Sequence, residues 1–310
     1  MLWVVIPALD EAENLLDLLP RVLSEVETFD PQGRVLVVDD GSTDDTSKVV
    51  VELMAGQVAG HDALELETLR HNLGKAAALQ RGFRRALDGG ATTVVMMDAD
   101  GQDDPAELGR LLERIEAGAD LVTGARLVRN DRFVKRTTSK VYNRATGVLS
   151  GAPGKDFNSG YKAMRAGVAE DVSPMLYGEM HRYLTVIAHG MGHRVAEVPV
   201  QHHARMNGSS KYGLARFWRG FADLLTVRFL LSYENRPSHL FGAVGMTSLF
   251  LGMLTLGYLT VVKAMGEPIG DRPLLIAGVL MVLVGLQLTL FGLLAEMVVH
   301  ARNRGLGQRT

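Results

Sequence analysis

Apolar residues run without a charge from Leu240 to Val262 and, interrupted only by Glu296 one turn from its end, from Leu274 to Val299. Runs of 23 and 26 residues exceed the roughly 20 helical residues that cross a bilayer core. A C-terminal two-helix transmembrane hairpin, about 240–262 and 274–299, is therefore expected; two helices buried in a soluble core would need an unusually large apolar shell. Upstream, short apolar runs alternate with amphipathic stretches. Residues 2–7, 34–38, 64–69, 94–97 and 121–124 read as strands, and 11–23, 45–54, 75–87 and 105–117 as helices, the second capped by Thr43 or Asp44 and the last opened by Pro105. Strands alternating with helices imply an α/β fold whose parallel sheet is covered on both faces. Residues 194–200 read as an edge strand, and the glycine-rich 147–160 and polar 206–212 as loops.

The pattern divides the 310 residues into a domain at 1–211, a juxtamembrane segment at 212–236 and a membrane domain at 237–310. In the juxtamembrane segment Tyr212, Arg216, Arg219 and Asp223 share one helical face, with Phe217, Phe221, Leu224, Leu225 and Phe229 on the other. A helix lying in the membrane interface and an amphipathic helix packed on its own domain both fit this pattern.

Charge alters the picture locally rather than globally. The net charge of −2 gives no field that would gather nucleic acid, and the absence of cysteine excludes disulfides and thiolate metal sites. Arginines flank both apolar runs on their outer ends (Arg228 and Arg236; Arg302, Arg304 and Arg309), whereas the connecting loop balances Lys263 and Arg272 against Glu267 and Asp271. The positive-inside rule thus predicts a multi-pass protein of the cell membrane with both ends and the soluble domain in the cytoplasm. The start of the chain, which turns acidic at Asp10 and Glu11, lacks the features of a secretory signal and agrees with that location. Glycines in the apolar runs permit close helix contacts and leave a homo-oligomer open.

In an open parallel sheet ligands bind at the carboxyl ends of the strands. Polar signals fall there three times, at Pro7–Glu11, at Asp39-Asp40-Gly41-Ser42 and at Asp98-Ala99-Asp100-Gly101-Gln102. Following the strand, extended geometry points Asp98 and Asp100 to one side toward a shared hard cation, Mg²⁺ or Mn²⁺, at a diphosphate, and Gln102 extends the same row. Neither a P-loop nor a dinucleotide glycine fingerprint is present. A basic stretch follows from Arg126 to Arg144, with Asp131 its one acid. It also suits a solvated face or a patch for anionic lipid heads.

Seven motifs in order (residues 4–11, 37–44, 71–75, 98–102, 124–126, 156–161 and 205–212) resemble the family-2 inverting glycosyltransferases of GT-A fold. Within them the similarity is narrowest to the polyprenyl-phosphate glycosyltransferases. The resemblance implies a nucleotide site bordered by Pro7, Leu9, Glu11, Val38, Asp39, Asp40, Lys75 and Ala99, and a metal held by Asp98, Asp100 and Gln102. It further implies that Arg126, Arg205 and Lys211 act on the phosphates in catalysis, with Lys135, Arg136, Arg205 and Lys211 toward the acceptor phosphate. Asp156 matches an acid near the reacting carbon; its use as a base and its use in orienting sugar or acceptor both stay open. Glu179, His181 and Arg182 reach either the acceptor side or one another.

The implied activity is transfer of a hexose, of UDP-glucose or GDP-mannose type, to polyprenyl phosphate at the bilayer. Two alternatives remain. A processive polysaccharide synthase would carry a Gln-x-x-Arg-Trp motif, which neither Trp3 nor Trp218 supplies. A non-catalytic membrane-tethered nucleotide-sugar sensor would show no turnover.

Overall fold

The computed structural model describes residues 1–56, 63–126, 146–147, 150–154, 156–203, 226 and 237–307, the side chains of 237 and 301–307 excepted. Two compact units divide the chain, Met1–Arg228 and Phe229–Thr310. Both the expected boundary at 211 and nearly all of the juxtamembrane segment fall outside the described residues.

Among the described residues of the first unit seven strands form one mixed sheet: β1 (Leu2–Ala8), β2 (Arg34–Asp39), β3 (Leu64–Thr68), β4 (Thr93–Met96), β5 (Leu121–Arg126), β6 (Lys162–Arg165) and β7 (Val195–Val200), in the order β3-β2-β1-β4-β6-β5-β7. All ladders are parallel except those of β6 with β4 and β5. The near-continuous apolar sequence of β1 and β2 follows from burial on both faces; Trp3, Val4, Val5, Ile6, Val37 and Val38 are almost fully inaccessible.

Four helices cover these strands, α1 (Ala12–Phe29), α2 (Thr46–Ala55), α3 (Lys75–Asp88) and α4 (Leu108–Glu116). Helix α1 buries Leu15, Leu18, Leu19, Val22, Leu23 and Val26 along one stripe. It continues past its expected end at residue 23 to Phe29, because Val26 belongs to that stripe. Residues 105–107 form a 3₁₀ turn ahead of α4 rather than its first α-helical turn, with the Asp104 carboxylate accepting from Ala106 N at 3.2 Å. Short helices α5 (Ala166–Val172) and α6 (Leu184–Gly190) follow β6.

The second unit is an antiparallel pair, α7 (Pro237–Ala264) and α8 (Pro273–Gly307). Large apolar side chains such as Phe250, Met253, Ile276 and Leu293 point outward, and only 11% of each most apolar window is buried, as in helices solvated by lipid rather than by a protein core. The two helices meet through small residues. A Cβ on Gly285 would stand 2.5 Å from Leu249 N and 2.7 Å from Gly245 O. Glu296 accepts from the Ser238 amide at 3.3 Å, where α7 begins. The pair anchors the chain in a membrane.

Candidate active site

Loops at the carboxyl ends of β1 and β2 are fastened to each other. Asp10, with φ of 53°, accepts from Thr43 N at 2.7 Å and Asp44 N at 3.3 Å, and the Glu11 amide donates to Thr46 Oγ1 at 3.0 Å. Pro7 and Val38 are buried partners across the β1–β2 ladder, while Leu9 is exposed on the loop. Asp39 and Asp40 are 1% and 3% exposed. Asp39 accepts from Ser42 N at 2.8 Å and from the Ser47 hydroxyl. Asp40 accepts from the Leu73 and Gly74 amides at 2.8 and 2.9 Å. Their visible work is to shape the rim around the expected nucleotide site.

The same clamp sets the start of α3, where Lys75 is the first residue. A cation there opposes the helix macrodipole, and the compensating charge comes from outside: Lys75 Nζ donates to Asp98 Oδ1. Asp98 is about one-third exposed at its side chain. Burial pushes its carboxyl up, but the charge and hydrogen bond of Lys75, with smaller help from His181 and Lys162, hold it below the usual carboxylate range.

The chain does not remain extended through Asp98 and Asp100. Strand β4 ends at Met96, Ala99 and Asp100 form a turn, and Gly101 follows with φ of +69°. Asp100, 8% exposed, accepts from its own Gln102 amide at 3.2 Å, and the Gln102 side-chain amide donates to His203 O at 3.4 Å. The expected alternating row is therefore corrected to a turn, because a positive-φ glycine redirects the backbone within it. Ala99 is buried behind the turn.

That turn gathers a third acid. Burial raises the pKa of Asp103; a hydrogen bond from His202 at 3.3 Å opposes the rise, and the charges of Asp98 and Asp100 add to it. Among the described residues no group of three or more His, Cys, Asp or Glu is arranged to hold a metal alone. A Mg²⁺ or Mn²⁺ site completed by diphosphate and water asks less of the protein, one or two carboxylates. Hard oxygens crowded closely enough to perturb one another fit such a cation.

Beyond the turn, Arg126 at the end of β5 forks onto Asp156, with Nε to Oδ2 at 2.7 Å and Nη2 to Oδ1 at 2.8 Å. Asp156 is 5% exposed and its amide donates to Glu197 Oε2 at 3.2 Å. Both carboxylate oxygens thus carry a guanidinium proton donor. His181 sits near Lys75 and Asp98; burial and the neighbouring cations push its pKa down to about 4, so it is neutral, and its buried Nδ1 finds no partner among the described residues. Arg182 instead pairs with Glu179 at 2.6 Å.

The structure accordingly brings together Lys75, Asp98, Asp100, Arg126 and Asp156 around the carboxyl ends of β4 and β5, with His181 joining them. Lys135, Arg136, Arg205 and Lys211 lie outside the described residues. Sequence reasoning missed Asp103 and Lys162. Lys162 on β6 is fully buried, and its Nζ donates to Phe157 O at 3.2 Å and to Ser159 O. One lysine in a four-residue strand carries no signal of that kind.

The model of glycosyl transferase family 2 matches residues 3–173. The chain belongs to this family. Among its relatives, dodecaprenyl-phosphate galacturonate synthase of Rhizobium johnstonii is 34% identical over 98% of this chain and 89% of its own. Undecaprenyl-phosphate 4-deoxy-4-formamido-L-arabinose transferase of Edwardsiella ictaluri is 28% identical over 95% and 87%. Among solved structures, glucosyl-3-phosphoglycerate synthase of Mycobacterium tuberculosis, crystallised with Mn²⁺, uridine-diphosphate-glucose and phosphoglyceric acid, superposes with a TM-score of 0.54 at 18% identity, covering 74% of this chain and 79% of that one. At that identity the likeness speaks to fold, and it matches the GT-A-like mixed sheet seen here. The family 2 chain is thus an enzyme-family member with a membrane hairpin appended.

Proposed function

We propose that this glycosyltransferase moves a sugar from a nucleotide diphosphate sugar to a polyprenyl phosphate at the cytoplasmic face of a membrane. The observation that carries the reading is the meeting of a carboxylate-rich turn with Lys75 and the Arg126–Asp156 fork at one sheet rim, in a chain that also owns two membrane helices. Full-length similarity to two lipid-phosphate sugar transferases supports it.

A phosphate oxygen of the acceptor attacks C1, the bond from C1 to the diphosphate breaks, and the nucleoside diphosphate departs with the bonding pair, inverting the anomeric centre. A divalent cation on Asp98 and Asp100 would supply charge neutralisation at the leaving group. Lys75 holds Asp98 ionised and oriented. Arg126, fixed in plane by Asp156, presents a rigid cation toward the phosphates. The acceptor is already an anion near neutral pH, so no base is required, and Asp156 with both oxygens engaged serves as the orienting partner of Arg126. Arg205 and Lys211, with Lys135 or Arg136, complete the phosphate contacts in this reading, and Pro7, Leu9, Glu11, Val38 and Ala99 border the nucleotide.

The relatives' names point to galacturonate and 4-deoxy-4-formamido-L-arabinose, so nucleotide-activated forms of these join glucose and mannose as donors to test. Membranes carrying the protein, given each labelled donor with polyprenyl phosphate and Mn²⁺, should move one label into the organic phase. No lipid-linked label from any donor would reject the reading and favour a sensor.

A further inference from the structure

Beneath the site lies a charge with no role in the reaction as drawn above. Lys162 is 0% exposed, and both carbonyls that its Nζ engages belong to the turn between Asp156 and Gly160. That turn touches the site at three places. Asp156 holds Arg126 at its start, Lys162 grips its middle, and at its end Gly160 lies so close to Asp98 that a Cβ would come within 2.4–2.5 Å of the carboxylate. Across the sheet Lys162 pairs with Met96 of β4 and Thr123 of β5, the strands that deliver Asp98 and Arg126.

A buried ammonium is costly unless paired. Here two neutral carbonyls receive it, and the anions in its field are Asp156 from the turn and Asp98 from beyond β4. The opposing cations are Arg126 at the end of β5 and Lys75 at the head of α3.

Resting on the transfer reading above, we propose that Lys162 is a positioning residue. Its ammonium ties the Asp156–Gly160 turn and acts as the shared internal counter-charge of Asp98 and Asp156, lowering the electrostatic cost of gathering two phosphate groups above them. A neutral amine still has two N–H donors for the two carbonyls. Loss of its proton therefore removes the charge and leaves the tie, which separates the two halves of the role.

Burial pushes Lys162 down from the usual lysine value to about 8, with Asp156 and Asp98 opposing the fall. Its pKa is lower in the folded than in the unfolded chain, so its contribution to stability is fully present above the unfolded value of 10.5 and is lost as pH falls through about 8. Between those limits rising pH favours the folded state through this group, and a decline in activity there is not its unfolding.

The test uses the full chain in lipid-detergent micelles, measuring kcat and donor KM for lipid glycosylation from neutral pH to about pH 10, with circular dichroism at each point. Wild type should lose kcat as pH rises through about 8 at constant donor KM and intact fold. Lys162→Met should lower kcat about 100-fold at neutral pH, the scale of one lost electrostatic stabiliser, and show no alkaline limb. Lys162→Arg, which stays charged, should retain more activity than Lys162→Met and also lack the limb. Wild-type kcat that is flat across the window overturns the proposal even where neither variant folds, and so does near-normal kcat in Lys162→Met. A wild type that transfers no sugar at any pH removes the transfer reading itself and this role with it.

Discussion

Replacing Gly160 by alanine isolates the geometry of Asp98 from the stability of the fold. The added Cβ would stand 2.4 Å from Oδ1 and 2.5 Å from Cγ and Oδ2 of Asp98, where ordinary contacts begin near 3.5 Å. The carboxylate must therefore retreat by about 1 Å. Because it is the end of a side chain one-third exposed, the fold accommodates this at about 0.5–1.5 kcal/mol for an off-rotamer torsion. Loss of the one-third-exposed Lys75–Asp98 pair adds about 1 kcal/mol at most, and the melting temperature should fall by only several degrees. Metal ligands, by contrast, tolerate about 0.2 Å, and a 1 Å misplacement at a reacting centre costs about 100-fold. Transfer of labelled sugar to polyprenyl phosphate across a Mn²⁺ titration, beside a thermal melt, reads both. Turnover within threefold of wild type at an unchanged Mn²⁺ half-saturation would refute the placement of Asp98 as a metal ligand.

Other outcomes follow from the same geometry. Asp100→Asn should abolish turnover while the protein stays folded and membrane-bound; near-normal activity would remove its metal role. Asp156→Asn and Arg126→Lys should each lower kcat about 10- to 100-fold, since either one dissolves the fork; a loss for Asp156→Asn near 10⁴-fold with a mild Arg126→Lys would instead indicate proton removal by Asp156. Excess chelator should stop transfer, and Mn²⁺ or Mg²⁺ should restore it, which persistent activity would contradict. In the membrane pair, Gly285→Leu forces side-chain atoms into the Leu249 and Gly245 backbone; the detergent-extracted protein should melt earlier with little change in kcat of the surviving fraction, and an unchanged melt would contradict the close helix contact.

What the sequence revealed depended on whether one physical cause dominated a segment. Strands β1, β2 and β4 are buried on both faces, so their apolar runs had no other explanation, and the two membrane helices were legible for the same reason. Strand β6 escaped notice because it is four residues long with Lys162 and Arg165 at its ends, and its antiparallel insertion between β4 and β5 is a tertiary fact. Helix α1 outruns its expected end at residue 23 because its buried stripe has one more member, Val26, a single apolar position beyond Leu23.

At the site, residue types were readable and their neighbours were not. Asp98 and Asp100 were found by chemistry, yet the straight row imagined for them gave way to a turn at Gly101. Lys75, expected beside the nucleotide, also donates to Asp98, a partner that the sequence does not announce. Asp40 accepts from backbone amides more than 30 residues away in the chain, and Asp39 from the Ser42 amide and the Ser47 hydroxyl nearby, partners that the Asp-Asp pair alone does not announce. Asp103, His181 and Lys162 acquire meaning only when β5, β6 and the turn after Asp156 are brought beside β4.

The central claim is sugar transfer to a lipid phosphate, and one measurement addresses it most directly. Purified full-length protein in micelles with polyprenyl phosphate and Mn²⁺ is offered each of the four labelled donors in turn, and label in the organic phase is counted against the Asp100→Asn variant. Label that enters the lipid only with wild-type protein and only with polyprenyl phosphate present is the predicted result. Equal counts with the variant, or none with any donor, would contradict it.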